Sequence, residues 1–153
     1  MLAIGKKVPK LEGTTADGST ISLGALRGKH VAVYFYPKDN TPGCTREAQD
    51  FAALYPKFKA KKCEVIGVSR DSAKSHGKFI DKFALPFPLV ADEDETWCNA
   101  FGVIGEKKLY GKPYVGVIRS TFLIGPDGAL LAEWRGVKVP NHASAVLERL
   151  ASQ

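Results

Sequence analysis

The clearest hydrophobic pattern in the chain is a nearly continuous apolar run over residues 30–36. β-Branched and aromatic side chains dominate this run, so it predicts a strand that is buried on both faces. After a loop over residues 37–43, apolar residues recur at helical spacing at Phe51, Leu54, Tyr55 and Phe58. We therefore expect a helix from about Cys44 to Ala60, with Cys44 at its start.

Strand and helix patterns continue to alternate after this helix. The apolar run over residues 63–69 predicts a second strand, and apolar residues at helical spacing between 79 and 83 predict a crossover helix. Residues 86–91 predict a short strand. The acidic residues 92–95 then place negative charge at the N-terminus of a short helix that carries residues 97–101.

A hairpin and a final helix are predicted in the last third of the chain. Residues 117–124 and 129–134 have strand patterns and flank Gly125-Pro126-Asp127-Gly128, a strong turn sequence. Asn141 can cap a C-terminal helix with an apolar stripe. Near the other end, Asp17-Gly18 between two short strand patterns predicts an opening hairpin.

This order of elements requires a mixed β-sheet with helices on both faces. The chain has 153 residues, within the normal range of one compact domain. We therefore expect residues 1–153 to form a single α/β domain with a mixed central sheet and an N-terminal β-hairpin.

Charge and composition exclude several classes of protein. The net charge is +6, but the main basic cluster, residues 57–62, fits the last turn of a helix, and no nucleic-acid-binding motif accompanies it. No apolar run approaches the roughly 20 residues that span a bilayer, and residues 1–7 lack the apolar stretch of a signal peptide. We expect a soluble cytoplasmic protein that binds neither nucleic acid nor membrane.

Cys44 is the strongest candidate for chemistry. The thiolate is the nucleophilic form of cysteine, and the unpaired N–H groups and dipole of a helix N-terminus favour it. Pro42 and Gly43 shape the approach of the loop to the helix, so we expect the sulfur to face solvent. The alternative is an ordinary buried cysteine near a helix start. The three cysteines and three histidines show no ligand spacing, so we expect no metal and no cofactor.

The sequence Pro37-Lys38-Asp39-Asn40-Thr41-Pro42-Gly43-Cys44-Thr45-Arg46-Glu47 resembles the active-site loop of peroxiredoxins. The resemblance is to the bacterioferritin comigratory protein, or Q-type, branch, and it extends over nearly the whole chain, including residues 92–94, 101–103, 105–107 and 118–124. It implies a thioredoxin-like fold and a thiol peroxidase. Such an enzyme reduces hydrogen peroxide and organic hydroperoxides through a sulfenic acid, here on Cys44.

The resemblance also implies roles for the residues around the sulfur. Cys44 matches the peroxidatic cysteine, Thr41 is placed to hydrogen-bond the peroxide and the thiolate, and Arg119 matches a strand arginine beside the sulfur. Attack on the O–O bond moves negative charge from sulfur to the departing oxygen, so fixed donors around both atoms stabilise the transition state. The backbone N–H groups of Gly43 and Cys44 add to these donors.

Pro37 would shield the sulfur, and Glu47 would orient an arginine. Structural roles also explain three of these residues: Thr41 can start a turn, Pro37 can end a strand, and Glu47 can be a first-turn helix carboxylate. Arg119 fits a site role better, because a charge inside an apolar strand is costly unless it is paired or functional.

A second thiol must then reduce the sulfenic acid on Cys44. Members of the branch carry a resolving cysteine at positions that correspond here to Gln49 or Ile80. Cys63 begins a predicted strand and fits the core, and a cysteine at the position of Cys98 also occurs in members that resolve elsewhere. We therefore expect a one-cysteine enzyme that is reduced by glutathione, glutaredoxin or thioredoxin. A Cys44–Cys98 disulfide, formed after local unwinding, is the alternative.

A thiol-disulfide oxidoreductase or redox adaptor on the same fold is the main candidate from another class, and a noncatalytic binding module is a weaker one. A Cys-x-x-Cys motif would place a second cysteine at position 41, where this chain has Thr41. The resemblance to the Q-type branch further suggests a monomer.

Overall fold

A computed structural model describes residues 2–153; Met1 and the side chain of Leu109 lie outside the described residues. In chain order, its strands and helices are β1 (Glu12–Thr15), β2 (Thr20–Ser22), β3 (His30–Phe35), α1 (Pro42–Ala60), β4 (Cys63–Ser69), α2 (Ala73–Phe83), β5 (Leu89–Ala91), α3 (Thr96–Phe101), β6 (Ile104–Leu109), β7 (Lys112–Val117), β8 (Ser120–Ile124), β9 (Leu130–Arg135) and α4 (His142–Ala151). A short 3-10 turn, Gly24–Leu26, follows β2. No helix of residues 2–153 is both long enough and apolar enough to cross a membrane.

Seven of the strands form one sheet in the order β2-β1-β5-β4-β3-β8-β9. Strand β3 lies inside the sheet, parallel to β4 and antiparallel to β8. Helices α1 and α2 provide the crossovers that the parallel pairs β3–β4 and β4–β5 require. The predicted mixed sheet is therefore confirmed, and so is the N-terminal hairpin, in which β1 and β2 pair antiparallel.

The sheet divides the apolar core into two clusters. Because side chains alternate along a strand, Ala32 and Tyr34 of β3 pack on one face, whereas Val33 and Phe35 pack on the other. Helices α1, α2 and α4 cover the first face, which we call the α1 side, and α3 covers the second, the α3 side. Helices on both faces were predicted from the order of elements.

The structure corrects three predicted boundaries. Helix α1 begins at Pro42 rather than Cys44, because proline fits the first helical position, where its missing N–H is not needed. Strand β5 is shorter than residues 86–91, because Pro86 and Pro88 cannot donate to a sheet. The single strand predicted over residues 117–124 is wrong: β7 ends at Val117 and β8 begins at Ser120, so Arg119 lies between two strands of different sheets.

One hairpin was not predicted at all. Strands β6 and β7 pair antiparallel as a separate two-stranded sheet. Tyr110 and Gly111 connect them, and both residues have positive φ, 51° and 78°. Tight hairpin turns of this hand usually use Asn-Gly or Asp-Gly, so a tyrosine at the first position hid the turn from the sequence pattern.

The predictions for the N-termini of α3 and α4 differ in how they compare with the structure. The Asp92 carboxylate accepts hydrogen bonds from the N–H groups of Trp97 and Cys98 at 3.0 and 2.8 Å, so acidic charge does stabilise the start of α3. Asn141 occupies the N-cap position of α4, but its φ is 65° and its side chain makes no capping hydrogen bond. The predicted side-chain cap at Asn141 is wrong. A residue whose side chain caps a helix normally has an extended backbone, whereas the backbone of Asn141 is left-handed.

Close packing of β3, β4 and β5 yields a stability prediction at Gly67. A Cβ atom at Gly67 would lie 2.6 Å from Leu89 Cδ2 and 3.0 Å from the ring of Tyr34. The substitution Gly67→Ala should therefore lower the free energy of unfolding by about 1–3 kcal/mol. Urea unfolding followed by circular dichroism measures this change.

Gly77→Ala is the matched control, because Gly77 lies inside α2 and a Cβ there meets no atom within 4 Å. That substitution should raise the free energy of unfolding by about 0.5–1 kcal/mol, since alanine favours a helix interior over glycine. A Gly67→Ala protein that is as stable as the parent would contradict the packing described above.

Candidate active site

Cys44 lies in the first turn of α1. Thr41 is the N-cap residue, and its carbonyl accepts the first hydrogen bond of the helix from the Thr45 N–H group at 2.8 Å. The N–H groups of Gly43 and Cys44 precede this bond, so neither has an acceptor within the helix, and Pro42 has no N–H at all. Two backbone donors and the positive end of the helix dipole therefore converge near the sulfur.

The Arg119 side chain joins Cys44 to Glu47. Its Nη2 atom lies 3.5 Å from Cys44 Sγ, and its Nη1 atom donates to Glu47 Oε1 at 2.7 Å. Gly43 leaves room for this approach, since a Cβ atom there would lie 3.2 Å from Arg119 Nη2, closer than ordinary van der Waals contact. The structure thus brings together four residues that the sequence singled out.

The sulfur does not face solvent, so that expectation is wrong. Cys44 is only 1% exposed and belongs to the apolar cluster on the α1 side, because the first turn of α1 packs against the end of β3. Its burial differs from that of an inert core cysteine in one respect: a guanidinium lies beside it. In such a poorly solvated place, a positive charge attracts a thiolate more strongly than it would in water.

Burial also determines the charge of Glu47. Its side chain is 1% exposed, and this burial raises its pKa from 4.5 to about 7, against the opposing effect of Arg119. Burial acts to lower the pKa of Arg119, but Glu47 and Cys44 outweigh it, and the net shift is upward. The Glu47 Oε2 atom is buried and has no hydrogen-bond partner among the described residues. Arg119 is therefore the residue that keeps its charge throughout the neutral range.

The positions of Thr41, Pro42 and Pro37 in the loop fit structural roles. Thr41 Oγ1 donates to the Lys38 carbonyl at 2.8 Å, so its hydroxyl hydrogen is directed within the loop in this structure. Pro42 is exposed at the first position of α1, and Pro37 is half-buried two residues after the end of β3. The structural roles considered for Thr41 and Pro37, at a turn and at a strand end, fit these positions.

The other two cysteines are buried away from this site. Cys98 packs in the cluster on the α3 side of the sheet, opposite the cluster that contains Cys44. Burial and the neighbouring Asp92 carboxylate raise the pKa of the Cys98 thiol. Both effects keep this thiol protonated, which makes it a poor nucleophile.

Cys63 shares the α1 side with Cys44 but lies beside the other end of α1. Its thiol is near Lys59 and Glu64, and burial raises the pKa of Cys63 to about 12. At 1.5 Å per residue, the helix separates Cys44 from Lys59 by roughly 22 Å. All three cysteines are free thiols.

Two residues near the site were not singled out from the sequence. The Tyr34 hydroxyl is buried without a hydrogen-bond partner among the described residues, and its pKa is raised by burial and then by the charges of Glu47 and Cys44. The pKa of Lys107 is lowered by burial and by Arg119. Tyr34 looked like one more core residue of an apolar strand, and Lys107 lies on the hairpin that was not predicted.

A solved structure with the same architecture shows which class of protein this is. The bacterioferritin comigratory protein of Xanthomonas campestris, studied for its alkyl peroxide reduction activity, matches the chain with a TM-score of 0.91 and 46% identity. The match covers 99% of this chain and 97% of the other. The fold is therefore that of the thioredoxin-like thiol peroxidases, with a cysteine at the start of a helix.

The family follows from the sequence comparisons. Residues 4–132 match the model of the AhpC/TSA family. Peroxiredoxin Bcp of Xanthomonas campestris pv. campestris is 52% identical over 135 residues, which cover 88% of this chain and 84% of the relative. Peroxiredoxin Bcp of Bacillus subtilis is 46% identical over 149 residues, covering 97% and 95%. The chain belongs to the AhpC/TSA family, as a peroxiredoxin of the Bcp, or Q-type, branch.

The raised pKa of Glu47 predicts a specific pH dependence of stability. Between pH 4.5 and about 7, the native state holds the Glu47 proton and the unfolded chain releases it. Raising the pH through this window therefore lowers the free energy of unfolding, and Glu47→Gln removes that contribution. The stability of the parent relative to Glu47→Gln should fall by on the order of 3 kcal/mol across the window. Urea unfolding at a series of pH values measures it.

The buried His142 changes the free energy of unfolding with pH in the opposite direction over part of this pH range. The stability of the parent must therefore be compared with that of Glu47→Gln at each pH. Burial lowers its pKa to about 4, and its contribution to stability is lost as the pH falls from 6.5 towards 4. Both proteins contain His142, so its effect cancels in the difference. A difference that stays flat from pH 4.5 to 7 would show that Glu47 is ionised throughout.

Proposed function

We propose that Cys44 is the peroxidatic cysteine of a one-cysteine cycle that reduces hydrogen peroxide and organic hydroperoxides. The 3.5 Å contact between Arg119 Nη2 and Cys44 Sγ carries this proposal. A guanidinium beside a sulfur at a helix N-terminus favours the thiolate, which is the form that attacks peroxides. The alkyl peroxide reduction activity of the related Xanthomonas campestris protein supports organic hydroperoxides as substrates.

In the first step, the Cys44 thiolate attacks one oxygen of the hydroperoxide. A sulfur–oxygen bond forms and the O–O bond breaks, and the other oxygen leaves with the bonding electron pair. That oxygen takes up a proton and departs as water or an alcohol, while Cys44 becomes a sulfenic acid. Negative charge moves from sulfur to the leaving oxygen, so donors directed at both atoms lower the barrier.

We assign these donors to Arg119 and to the N–H groups of Gly43 and Cys44. The Thr41 hydroxyl joins them when it exchanges the Lys38 carbonyl for the bound peroxide. Glu47 orients the guanidinium through the 2.7 Å hydrogen bond to Nη1. The remaining loop residues support this arrangement: Pro42 starts the helix, Gly43 leaves room for the guanidinium, and Pro37 shields the sulfur.

In the second half of the cycle, an external thiol condenses with the sulfenic acid and releases water. A second thiol then reduces the mixed disulfide and regenerates Cys44. The position of Cys98 on the α3 side supports an external partner, because a Cys44–Cys98 bond would require one of the two to leave its side of the sheet. We propose glutathione, glutaredoxin or thioredoxin as the reductant.

We further propose that residues 1–153 act as a single thioredoxin-like domain, as a monomer in the cytoplasm. A peroxidase that depends on external thiols needs a compartment that keeps thiols reduced. The thiol-disulfide oxidoreductase alternative has less support, since Thr41 stands where a Cys-x-x-Cys motif would place its other cysteine.

Replacing Cys44 or Arg119 tests the assignment directly. Cys44→Ser should abolish thiol-dependent consumption of peroxide. Arg119→Met should lower the rate constant for peroxide reduction by about 100-fold, because it removes both the charge and a directed donor. Stopped-flow measurement with hydrogen peroxide and an alkyl hydroperoxide gives these rate constants.

Arg46→Met is the matched control, because Arg46 lies on the same helix but its side chain is 67% exposed. Its rate constant should stay within about twofold of the parent's. Turnover retained by Cys44→Ser would remove Cys44 from the chemistry.

The one-cysteine cycle predicts that the other thiols are dispensable. A Cys63→Ala/Cys98→Ala protein should retain steady-state turnover within about threefold when glutathione, glutaredoxin or thioredoxin supplies the reducing thiol, since neither buried thiol reaches the sulfenic acid. Mass spectrometry of peroxide-treated parent protein should detect a trapped sulfenic acid on Cys44. An abundant Cys44–Cys98 peptide pair would instead show that Cys98 resolves the intermediate.

A further inference from the structure

Asp39 is a buried carboxylate in the loop between β3 and α1. It is 7% exposed, and it precedes Thr41 by two residues and Cys44 by five. The mechanism proposed above assigns no role to Asp39. A carboxylate is rarely buried unless its oxygens are fully hydrogen-bonded, so its partners are informative.

Three side chains surround the Asp39 carboxylate within hydrogen-bond distance. The Tyr36 hydroxyl donates to Oδ1 at 2.6 Å, and the Ser75 hydroxyl donates to Oδ2 at 2.7 Å. His76 Nδ1 lies 2.7 Å from Oδ2. Tyr36 directly follows β3, whereas Ser75 and His76 lie in the first turn of α2. The carboxylate therefore ties the loop before Cys44 to a different helix.

His76 extends this network into the sheet. It is completely buried, and its Nε2 atom lies 2.9 Å from the carbonyl oxygen of Val90 on β5. A carbonyl oxygen can only accept, so Nε2 carries a hydrogen and donates it. The histidine is thus held at both nitrogens, between a strand of the sheet and the Asp39 carboxylate.

The backbone of the loop is held as well. The Asp39 N–H group donates to Asp71 Oδ2 at 2.9 Å, and the same oxygen accepts from the Ser69 hydroxyl at 2.6 Å. Asn40 then adopts a left-handed backbone, with φ of 59°, and Thr41 enters α1 as the N-cap. Between the anchored Asp39 and the helix there is only this one left-handed residue and the cap, so little freedom remains for the position of Thr41.

A network of this kind is costly to distort, because a change at one member leaves the other buried groups without partners. The segment that it holds carries the hydroxyl and the N–H groups assigned above to the peroxide. Transition-state stabilisation by such donors requires that they are already in place when the substrate arrives.

We propose that Asp39, together with Ser75 and His76, is a positioning residue for peroxide reduction. The network holds Thr41 and the first turn of α1 in register with Arg119, so that the donors meet the peroxide without rearrangement. None of its members touches the substrate. This inference rests on the proposed role of Cys44 and Thr41, and it adds α2 to the elements that determine the reaction rate.

The test compares two reactions of the same sulfur. One is the second-order rate constant for oxidation of Cys44 by hydrogen peroxide, and the other is that for alkylation of Cys44 by iodoacetamide, both measured on the full chain at one pH. The fraction of thiolate affects both reactions equally and cancels in their ratio. Only the peroxide reaction needs the directed donors of the loop, so a positioning role changes the ratio.

Asp39→Asn should lower the peroxide-to-alkylation ratio by about tenfold or more, because it replaces one accepting carboxylate oxygen with an NH2 group that cannot accept from the hydroxyl it faces. Ser75→Ala should lower it by a smaller factor, about threefold, and Ser75→Thr should restore it by returning the hydroxyl. Asp81→Asn is the charge-matched control, since Asp81 is exposed on the same helix, and its ratio should match that of the parent. Ser75→Ala provides the answer if Asp39→Asn does not fold.

A ratio that is unchanged in both Asp39→Asn and Ser75→Ala would overturn the proposal, whether or not the two rate constants fall together. Equal falls in both reactions would mean that the network only maintains the fold or the thiolate. Failure of the proposed function is distinguishable, because peptide mapping would then find the oxidised or alkylated sulfur on a cysteine other than Cys44 in the parent protein.

Discussion

The contact on which the site depends is the one between the Arg119 guanidinium and two groups of α1. The planar cation lies 3.5 Å from Cys44 Sγ and 2.7 Å from Glu47 Oε1, and its side chain is only 17% exposed. One positive charge thus faces two groups that can each become anionic. Burial raises the pKa of Glu47 to about 7, so this carboxyl does not carry a full negative charge at neutral pH, whereas the guanidinium keeps its charge. The glycine before Cys44 leaves room for the cation, because a Cβ atom there would lie only 3.2 Å from Arg119 Nη2.

The central sheet and the length of α1 keep the three sulfur atoms apart. Cys44 lies at the start of α1, Cys63 lies beside the other end of the same helix, and Cys98 is on the opposite face. In this sheet, the C-terminal ends of β3 and β4 lie next to the start of β8. The loop before Cys44, the start of α2 and Arg119 meet at these strand ends. The reactive sulfur is therefore close to donors and far from other thiols.

Sequence patterns predicted those strands and helices whose buried positions are occupied by apolar residues at regular spacing. Residues 63–69 were predicted as a strand with the observed bounds, because a strand covered on both faces must be apolar throughout. The hairpin of β6 and β7 was missed, since its residues are largely polar and exposed and its turn lacks the usual dipeptide. The joint at Arg119 was also missed. Apolar residues continue on both sides of it, whereas Val117 pairs with Ile104 in the two-stranded sheet and Ser120 pairs with Arg135 in the seven-stranded sheet.

The sequence by itself determined the order of the elements, the mixed sheet and a cysteine at the start of a helix, because hydrophobic spacing and helix-start signals are local. The resemblance of the loop to that of the peroxiredoxins pointed to Glu47, and the match of residues 118–124 to the same branch pointed to Arg119. Only the tertiary structure decided that a guanidinium 75 positions away reaches the sulfur, that Cys44 is buried, and that Asp39 is bound to α2. Each of these depends on how layers of distant segments pack. Local spacing reports which stretches of the chain are apolar, but not whether a residue at the start of a helix is covered or which side chain from another segment lies against it.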